Sequence, residues 1–448
     1  MMRSLYSAVS GLKAHQTRMD VIGNNIANVN TVAYKSQSMT FSEVFYQTTQ
    51  TASGPNAESG KGGTNAMQIG LGSSVGSIST AIATEGASER TDNPYDMAIS
   101  GSAFFIVSSA GNTYFTRAGN FKPDESGALV TSSGANVMGW QVDENGEIVK
   151  DRVSPLYVSS PEFTYTDPQK TTAVSLSGNI NASSKESVTT TLNFFDTLGN
   201  SYQATVTLQY QGQDGNIVSY TMADNATISK NGEKTTMTMA LSDDAKFEFN
   251  ALTGAPIAES MSNMTLTITD PDGTNNIQAI GTNDGSDTES TLRLDATGMK
   301  MIADKTAINP SLGIKNPTTG VLEGAGKAVG KMTAVGINES GCIVASYSNG
   351  DTKIIGQIAV TSFSNPAGLE KVGENLYSAT LNSGEFDGVG EDVTSSDGKI
   401  TSGVLEMSNV DLSSEFTTMI TTQRGYQANS RIITVSDSML EELINLKR

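Results

Sequence analysis

Histidine, cysteine and tryptophan each occur once in the 448 residues, as His15, Cys342 and Trp140, and 28 Lys and Arg face 47 Asp and Glu. A structural zinc site needs Cys and His in groups, which one of each cannot supply. One cysteine also forms no disulfide within a chain. A Ser-His-Asp or Cys-His catalytic arrangement would have to use His15, which falls in a helix-like N-terminal segment. The formal charge of −19 argues against nucleic acid and anionic membranes, both of which call for clustered Lys and Arg. No apolar run approaches the roughly 18–20 residues of a membrane span. The N-terminal Met-Met-Arg-Ser-Leu-Tyr-Ser-Ala-Val-Ser lacks the unbroken apolar core of a cleaved signal peptide. Only 17% of the residues are charged, against about 25% in ordinary globular proteins. The shortfall is made up by Ser, Thr, Asn and 44 glycines.

Motifs that carry chemistry are equally scarce. Gly70-Leu71-Gly72-Ser73-Ser74-Val75-Gly76 has one residue too many for a dinucleotide fingerprint and lacks its strand–helix setting. Gly326-Lys327-Ala328 ends without the Ser or Thr that would hold Mg²⁺, and Val321 stands where a phosphate loop starts with Gly. The acidic window Asp270 to Glu289 is no EF-hand. Five residues before Gly273 or Gly285 stand Ile268 and Ile280, not the required Asp. Paired carboxylates could serve a glycosidase, but one Trp and 6% aromatics leave few sugar platforms. No catalytic, cofactor or metal residues are assigned. Cys342, in Gly341-Cys342-Ile343-Val344-Ala345, reads as a small buried hydrophobe in a strand.

The two ends resemble each other and nothing between them. Leu5, Leu12, Met19 and Ile26 recur every seven residues, with Ala8, Ile22 and Val29 three after members of the series. They predict a helix to about residue 29, its seam interrupted at His15. Leu412, Met419, Tyr426, Ile433 and Leu440 form a second such series. Phe416 and Ile444 sit four after its members, while Gln423, Ser430 and Asp437 are polar at that offset. Asp411, Ser413 or Ser414 would cap this helix. Half-polar seams on two long helices, with no other helical core to receive them, predict a coiled-coil-like pair that also packs against further copies.

Residues 48–92 are rich in Gly, Ser and Thr, with the breakers Ser53-Gly54-Pro55-Asn56 and Gly60-Lys61-Gly62-Gly63, and read alone as a flexible linker. Met67, Ile69, Leu71, Val75, Ile78 and Ile82 permit short extended pieces laid on a partner surface. Between the ends the period is two. Ala103–Val107 is a buried-strand run. Val188, Thr190, Leu192 and Phe194 share one face; Asp196-Thr197-Leu198-Gly199-Asn200 turns the chain; Tyr202, Ala204, Val206, Leu208 and Tyr210 follow. Met264, Leu266 and Ile268 alternate up to the turn at Asp270-Pro271-Asp272-Gly273. The fold class is mainly β with α-helical termini, its centre built of antiparallel sandwich or barrel domains.

Particular strings carry a resemblance. Asn24-Asn25-Ile26-Ala27-Asn28-Val29-Asn30-Thr31 followed by Ala33-Tyr34-Lys35 resembles the N-terminal signature of bacterial flagellar rod and hook proteins. Ala98–Phe105 and Phe115-Thr116-Arg117-Ala118-Gly119-Asn120-Phe121 are similar to that family's first β-domain blocks. Tyr347–Gly350, Phe363–Leu369, Gly403–Val410 and Gln423-Arg424-Gly425-Tyr426-Gln427-Ala428-Asn429-Ser430 match further blocks. Ala33 stands where many relatives have Gly, so a glycine-type conformation is not expected there. Residues 160–325 match less specifically, apart from Phe195–Asn200. Rod members largely lack such an insert, which favours the hook branch.

The resemblance implies an inner helical domain (1–31 with 404–448), a linker region (32–90 with 384–403), an inner β-domain (91–158 with 326–383) and an outer β-domain (159–325). It implies a self-polymerising subunit of a curved, torque-transmitting tube, exported through the flagellar channel without a cleaved signal. Implied partners are further copies, the distal rod, the hook cap, the hook–filament junction proteins and the export apparatus. The packing seam would be Leu5, Leu12, Met19, Ile22, Ile26, Leu412, Phe416, Met419, Tyr426, Ile433 and Leu440. The family-motif residues are Asn24, Asn25, Asn28, Asn30, Gln423, Arg424, Tyr426 and Asn429. Two other readings stand beside it: a distal rod protein with an enlarged insert, and a secreted carbohydrate-active β-protein.

Overall fold

The computed structural model describes residues 2–55, 60, 62–143, 146–223, 226–242, 245–272, 277–282, 289–396 and 398–446. The expected turn residues Asn56, Lys61 and Gly273, and much of the acidic window around Gly285, lie outside them. The chain forms two compact units. One comprises Met1–Ser160, Val335–Ala345 and Lys353–Arg448, the other Pro161–Ala334 and Ser346–Thr352.

The first unit holds both long helices, α1 (Met2–Ala27) and, at the other end of the chain, Leu412–Asn445. Neither contains proline. The C-terminal helix starts where Asp411 accepts from the Ser413 and Ser414 amides at 2.9 and 3.4 Å, an N-cap that satisfies otherwise orphaned donors. The β core of this unit is built on the hairpin Phe104–Ser109 and Asn112–Thr116. Phe104, Ile106, Phe115, Trp140, Phe363 and Tyr377 cluster within it. Two short pairings bring the ends of the chain together: Met97–Ser100 with Lys399–Ser402, and Ser88–Arg90 with Val404–Glu406.

The presumed flexible linker is instead a paired ribbon. Strand β1 (Gln37–Glu43) leads into β2 (Tyr46–Gln50), and β3 (Met67–Gly70) leads back into β4 (Ser73–Thr80). β1 pairs with β4 and β2 with β3, and the ladder is continued between them by Val44 N–H to Gly72 and Leu71 N–H to Phe45. The small polar residues that suggest a linker pair across one face. Ser38–Ser79, Thr40–Ser77 and Ser42–Ser74 are joined by hydroxyl hydrogen bonds of 3.1, 2.8 and 2.8 Å, so cross-strand partners supply the order that composition alone does not reveal.

The second unit is built on a ten-stranded sheet and, among the described residues, carries the short α-helix α2 (Ala258–Met261); the long C-terminal helix is therefore α3. Its pairings are antiparallel except that of Ala173–Asn181 with Glu289–Ile302. The alternation holds residue by residue: Thr190, Leu192 and Phe194 are buried on one strand, and Tyr202, Ala204, Val206 and Leu208 on its partner. These strands share a single core cluster. The turn joining them is organised by buried Asp196, which accepts from the Leu198 and Asn200 amides, the Asn200 side chain and the Tyr202 hydroxyl at 2.8–3.2 Å. Gly199 takes φ +82° there, and a Cβ at that position would come within 2.8 Å of Val329.

The expectation for the cysteine fails. Cys342 is half-buried, because Ile343 and Ala345 set the inward parity of its strand and turn the cysteine to the less covered face.

Asp196→Ala removes four hydrogen bonds from a buried turn and leaves the Tyr202 hydroxyl without its carboxylate partner. Unfolding of the second unit in urea, followed in the full chain by far-ultraviolet circular dichroism, is expected to show a loss of about 1–3 kcal/mol, with its transition at lower urea. An unchanged midpoint would remove Asp196 from the folding of this turn.

Candidate assembly site

Helices α1 and α3 run antiparallel: Gly11 lies at Asn429, His15 at Gly425, and the Asn25 amide donates to Glu415 at 2.9 Å. Their contact is made of small and polar residues. Ala8, Gly11 and Ala14 are buried on α1, and Thr422 and Ser436 on α3. A Cβ added at Gly11 would sit 2.9 Å from the Asn429 amide, and one at Gly425 would sit 2.7 Å from the His15 ring. Glu415, Thr422, Asn429 and Ser436 thus form a polar seven-residue series beside the apolar one, and it is the polar series that faces α1.

The apolar series consequently turns outward. Leu412, Phe416 and Tyr426 are exposed, Phe416 at 51%, while Met419, Ile433 and Leu440 are half-buried. Ile420, Val435, Met439 and Leu443 widen this exposed surface. On α1, Leu5, Leu12, Met19 and Ile26 are half-buried. Ile22 departs from the expectation: it is buried within its own chain, on the same α1 face as His15 seven residues earlier.

Where α1 ends, the chain is tied to the β core by a buried polar junction. Lys35 Nζ donates to Glu406 Oε1 at 2.6 Å and to the Thr84 carbonyl at 2.7 Å. Glu406 Oε1 also accepts the Gly86 amide at 3.0 Å, and its main-chain carbonyl accepts Ala33 N–H at 2.8 Å. Arg117 Nη1 lies 3.9 Å from Glu406 Oε2 and donates to the Ile99 carbonyl, and Nη2 donates to Gly101. All three side chains are nearly fully buried. Ala33 adopts φ +55°, so the left-handed conformation is present here without glycine. The hydrogen bond its N–H donates to the Glu406 carbonyl and its near-complete burial hold it there.

The asparagines extend the junction. Buried Asn25 accepts the Gln37 amide and donates to the Gln37 carbonyl and to Glu415, while the Tyr34 hydroxyl donates to its side-chain oxygen. Asn24 donates to the Tyr34 hydroxyl, and Asn28 back-bonds to Asn24. Asn30 is exposed in the following turn. Asn409 accepts the Ser36 amide and donates to the Ala81 and Thr84 carbonyls. Lys371 donates to the Lys35 carbonyl and lies over the Tyr34 ring. On α3, Gln423 and Arg424 are exposed, and half-buried Asn429 meets Gly11.

Burial lowers the Lys35 ammonium, against the pull of Glu406, and lowers the Arg117 guanidinium likewise. Burial, then the Glu406 charge, pushes the Tyr377 phenol up to about 12. His15 is lowered by burial and then by Arg18; its ring packs edge-on to Phe41, over which Arg18 also lies. The arrangement binds segments to one another. Among the described residues no group of three His, Cys, Asp or Glu converges to hold a metal ion, and no helix is long and apolar enough to cross a membrane. The cavity beside Tyr34, Lys371 and Tyr377 holds about 170 Å³.

Lys35, Arg117 and Glu406 were not singled out by spacing or motif chemistry. The available signal was a lone charge inside each of three otherwise apolar or small-residue blocks, in a chain poor in charge.

Three family models match: "Flagella basal body rod protein" over residues 5–35, "Flagellar hook protein FlgE/F/G D1 domain" over 98–182, and "Flagellar basal body rod FlgEFG protein C-terminal" over 401–446. Lys35, Arg117 and Glu406 fall one in each. Along their full lengths, the flagellar hook proteins FlgE of Borreliella burgdorferi and Treponema pallidum are 36% and 34% identical to this chain, with 100% of both chains covered in each case. The flagellar basal-body rod protein FlgG of Bacillus subtilis is 30% identical, again with 100% of both covered.

Glu406→Ala strands two buried cations and is expected to cost about 3–5 kcal/mol in guanidinium unfolding, well above the cost of Glu406→Gln. Equal losses would show that the charge is immaterial. For His15, the folded-state value lies below 6.5, so the unfolded chain takes up its proton first as the pH falls. Stability present above about pH 6.5 is therefore expected to be lost on acidification. The melting temperature of the helical signal should fall between pH 7 and pH 5.5, and fall less in His15→Gln.

Proposed function

The chain belongs to the flagellar hook protein family, and we infer from that premise that it is the structural subunit of a flagellar hook, assembling with copies of itself into a curved tube that carries torque from rod to filament. The hook relatives at 36% and 34% identity stand above the rod relative at 30%, which supports the hook reading over the rod one.

One observation carries the assembly reading: the helix pair spends its small and polar residues on its own seam and leaves Leu412, Phe416, Ile420, Tyr426 and Val435 uncovered. A two-helix unit with its apolar series outward needs further helices to bury it. The packing seam proposed for neighbouring copies is Leu5, Leu12, Met19, Ile26, Leu412, Phe416, Met419, Tyr426, Ile433 and Leu440, with Ile22 withdrawn because its own chain covers it. In this reading residues 1–31 with 404–448 line the inside of the tube. Residues 32–90 with 384–403 link them to an inner β-domain (91–158 with 326–383), and residues 159–325 form the outer one. The subunit performs no catalysis, reaches the flagellum by the flagellar export route, and meets the distal rod below and the cap and junction proteins above.

Ile433→Asp is expected to abolish polymer while leaving the secreted chain detectable in the medium; normal hooks in that mutant would sink the seam. Electron microscopy of basal bodies from a strain lacking the gene should show complete rods and rings without hooks, whereas truncated rods would support the rod reading instead.

A further inference from the structure

The β1–β4 half of the ribbon has a hydroxyl face and an apolar face. On the other face Met39 pairs with Ile78, Phe41 with Val75 and Glu43 with Ser73, and α1 packs on its Met39 and Phe41, while Val75 and Ile78 are 39% and 48% exposed. Phe41 packs on His15 and Arg18, and Met39 is buried. Cross-strand partners share a face and successive alternate residues stay on it. The same face therefore continues through the Phe45–Leu71 pair to Ile69 and Met67. There the covering helix is gone. Every residue of β2 and β3 is exposed, Met67 at 58%, and so is Phe45 just before β2, at 76%.

The ribbon outruns its helix. It descends α1 from Gln37 beside Asn25 to Gly72 beside Ser7 and Ser10. From Ser7 only about 8 Å of α1 remains, at roughly 1.5 Å per residue. From Val44 to Gln50 the ribbon extends about 20 Å more, at roughly 3.3 Å per residue. One face thus carries Met39 and Phe41 packed on α1 in its first half and Phe45, Leu71, Ile69 and Met67 with no covering element in its second.

We propose that the bare half is covered by a helix of a second copy of this chain, namely the first turns of its α3, where Leu412, Phe416 and Ile420 recur every four residues as an uncovered stripe. The proposal rests on the reading of the chain as a polymerising subunit. The ribbon leaves the helix pair at the end where α1 begins, and the stripe lies at the opposite end, where α3 begins. A copy stacked end to end therefore brings the two together. The contact is heterologous: a surface at one end meets a different surface at the other, which propagates as a filament instead of closing a dimer. The hydroxyl face of the ribbon, its groups already paired with one another, is left to water.

The test uses the full chain with Cys342→Ser as background. Phe45→Cys combined with Ile420→Cys should give a ladder of disulfide-linked multimers when polymer is oxidised and none when monomer is. Phe45→Cys combined with Leu443→Cys is the alternative register. Phe45→Asp, on a residue already in solvent, should leave the circular dichroism and melting of the monomer unchanged and prevent sedimentable polymer. Polymer that cross-links only through Leu443→Cys, or through neither pair, overturns the docking while leaving the subunit reading intact, as does normal polymer from Phe45→Asp. A parent chain that never polymerises overturns both.

Discussion

The ion pair between Lys35 and Glu406 joins residues 371 positions apart, and the rest of the first unit depends on it. Everything between them is an excursion whose two ends must return to one point. Closing so long a loop costs entropy that grows only logarithmically with length, but it must be met by contacts that local helix or hairpin formation does not provide. A bare buried ion pair would supply little, since desolvating two charges consumes most of their attraction. Here each charge keeps further partners: Thr84 on the lysine, Gly86 and Arg117 on the glutamate. Glu85, whose side chain accepts the Gly101 amide, acts on both cations, so the second positive charge is not left unbalanced.

That junction also fixes what the helices can do. With α1 held by Asn25 and Tyr34 and α3 capped by Asp411 five residues after Glu406, the antiparallel register is set at the junction end, before the helices meet along their lengths. Their contact can then be made of glycine, alanine, serine and threonine. Such residues bury little area, and small-residue contacts hold helices close without giving the pair much stability of its own. The apolar residues are thereby released for the outer faces. A pair with the opposite arrangement, Leu and Phe inside and Ser and Gly outside, would be a more stable hairpin with nothing to offer a neighbour.

How much of this the sequence disclosed follows from the range of each interaction. The period-two runs at Val188–Phe194 and Tyr202–Tyr210, the Asp196 turn and the two seven-residue series are local patterns, and each appears in the fold where it was read. The ribbon was half read: spaced apolar residues from Met67 to Ile82 permitted extended pieces, but their pairing comes from cross-strand hydroxyl pairs such as Thr40–Ser77, far apart in the chain and chemically indistinct from linker. The Lys35–Arg117–Glu406 cluster was missed for the same reason on a larger scale. The sense of the seam was half legible: periodicity located the Leu412 to Leu440 series but did not say which of two interleaved series faces α1. The close approaches at Gly11 and Gly425 decide that. Ile22 shows the cost of the ambiguity, since it belongs to the apolar pattern yet is used up within the chain.

The two units differ in how far they are finished. The second has alternate residues of its strands buried in one core and the Asp196 turn closed by its own side chains, and its exposed apolar residues, such as Leu198 and Leu252, are scattered over turns. The first gathers uncovered apolar side chains into two continuous stretches, the outward series of α3 and the far half of the ribbon, both borne by segments that the buried junction anchors. In the proposed hook, a subunit that holds its neighbours firmly near the tube's axis while its outer parts shift on bending would use this asymmetry. Large apolar burial gives strong, fixed contacts, whereas polar surfaces with little to bury exchange water and neighbours at small cost. The low charge and abundant Ser, Thr and Asn of the chain belong to the second kind of surface. The Leu, Ile, Met and Phe left exposed near the ends of the chain belong to the first.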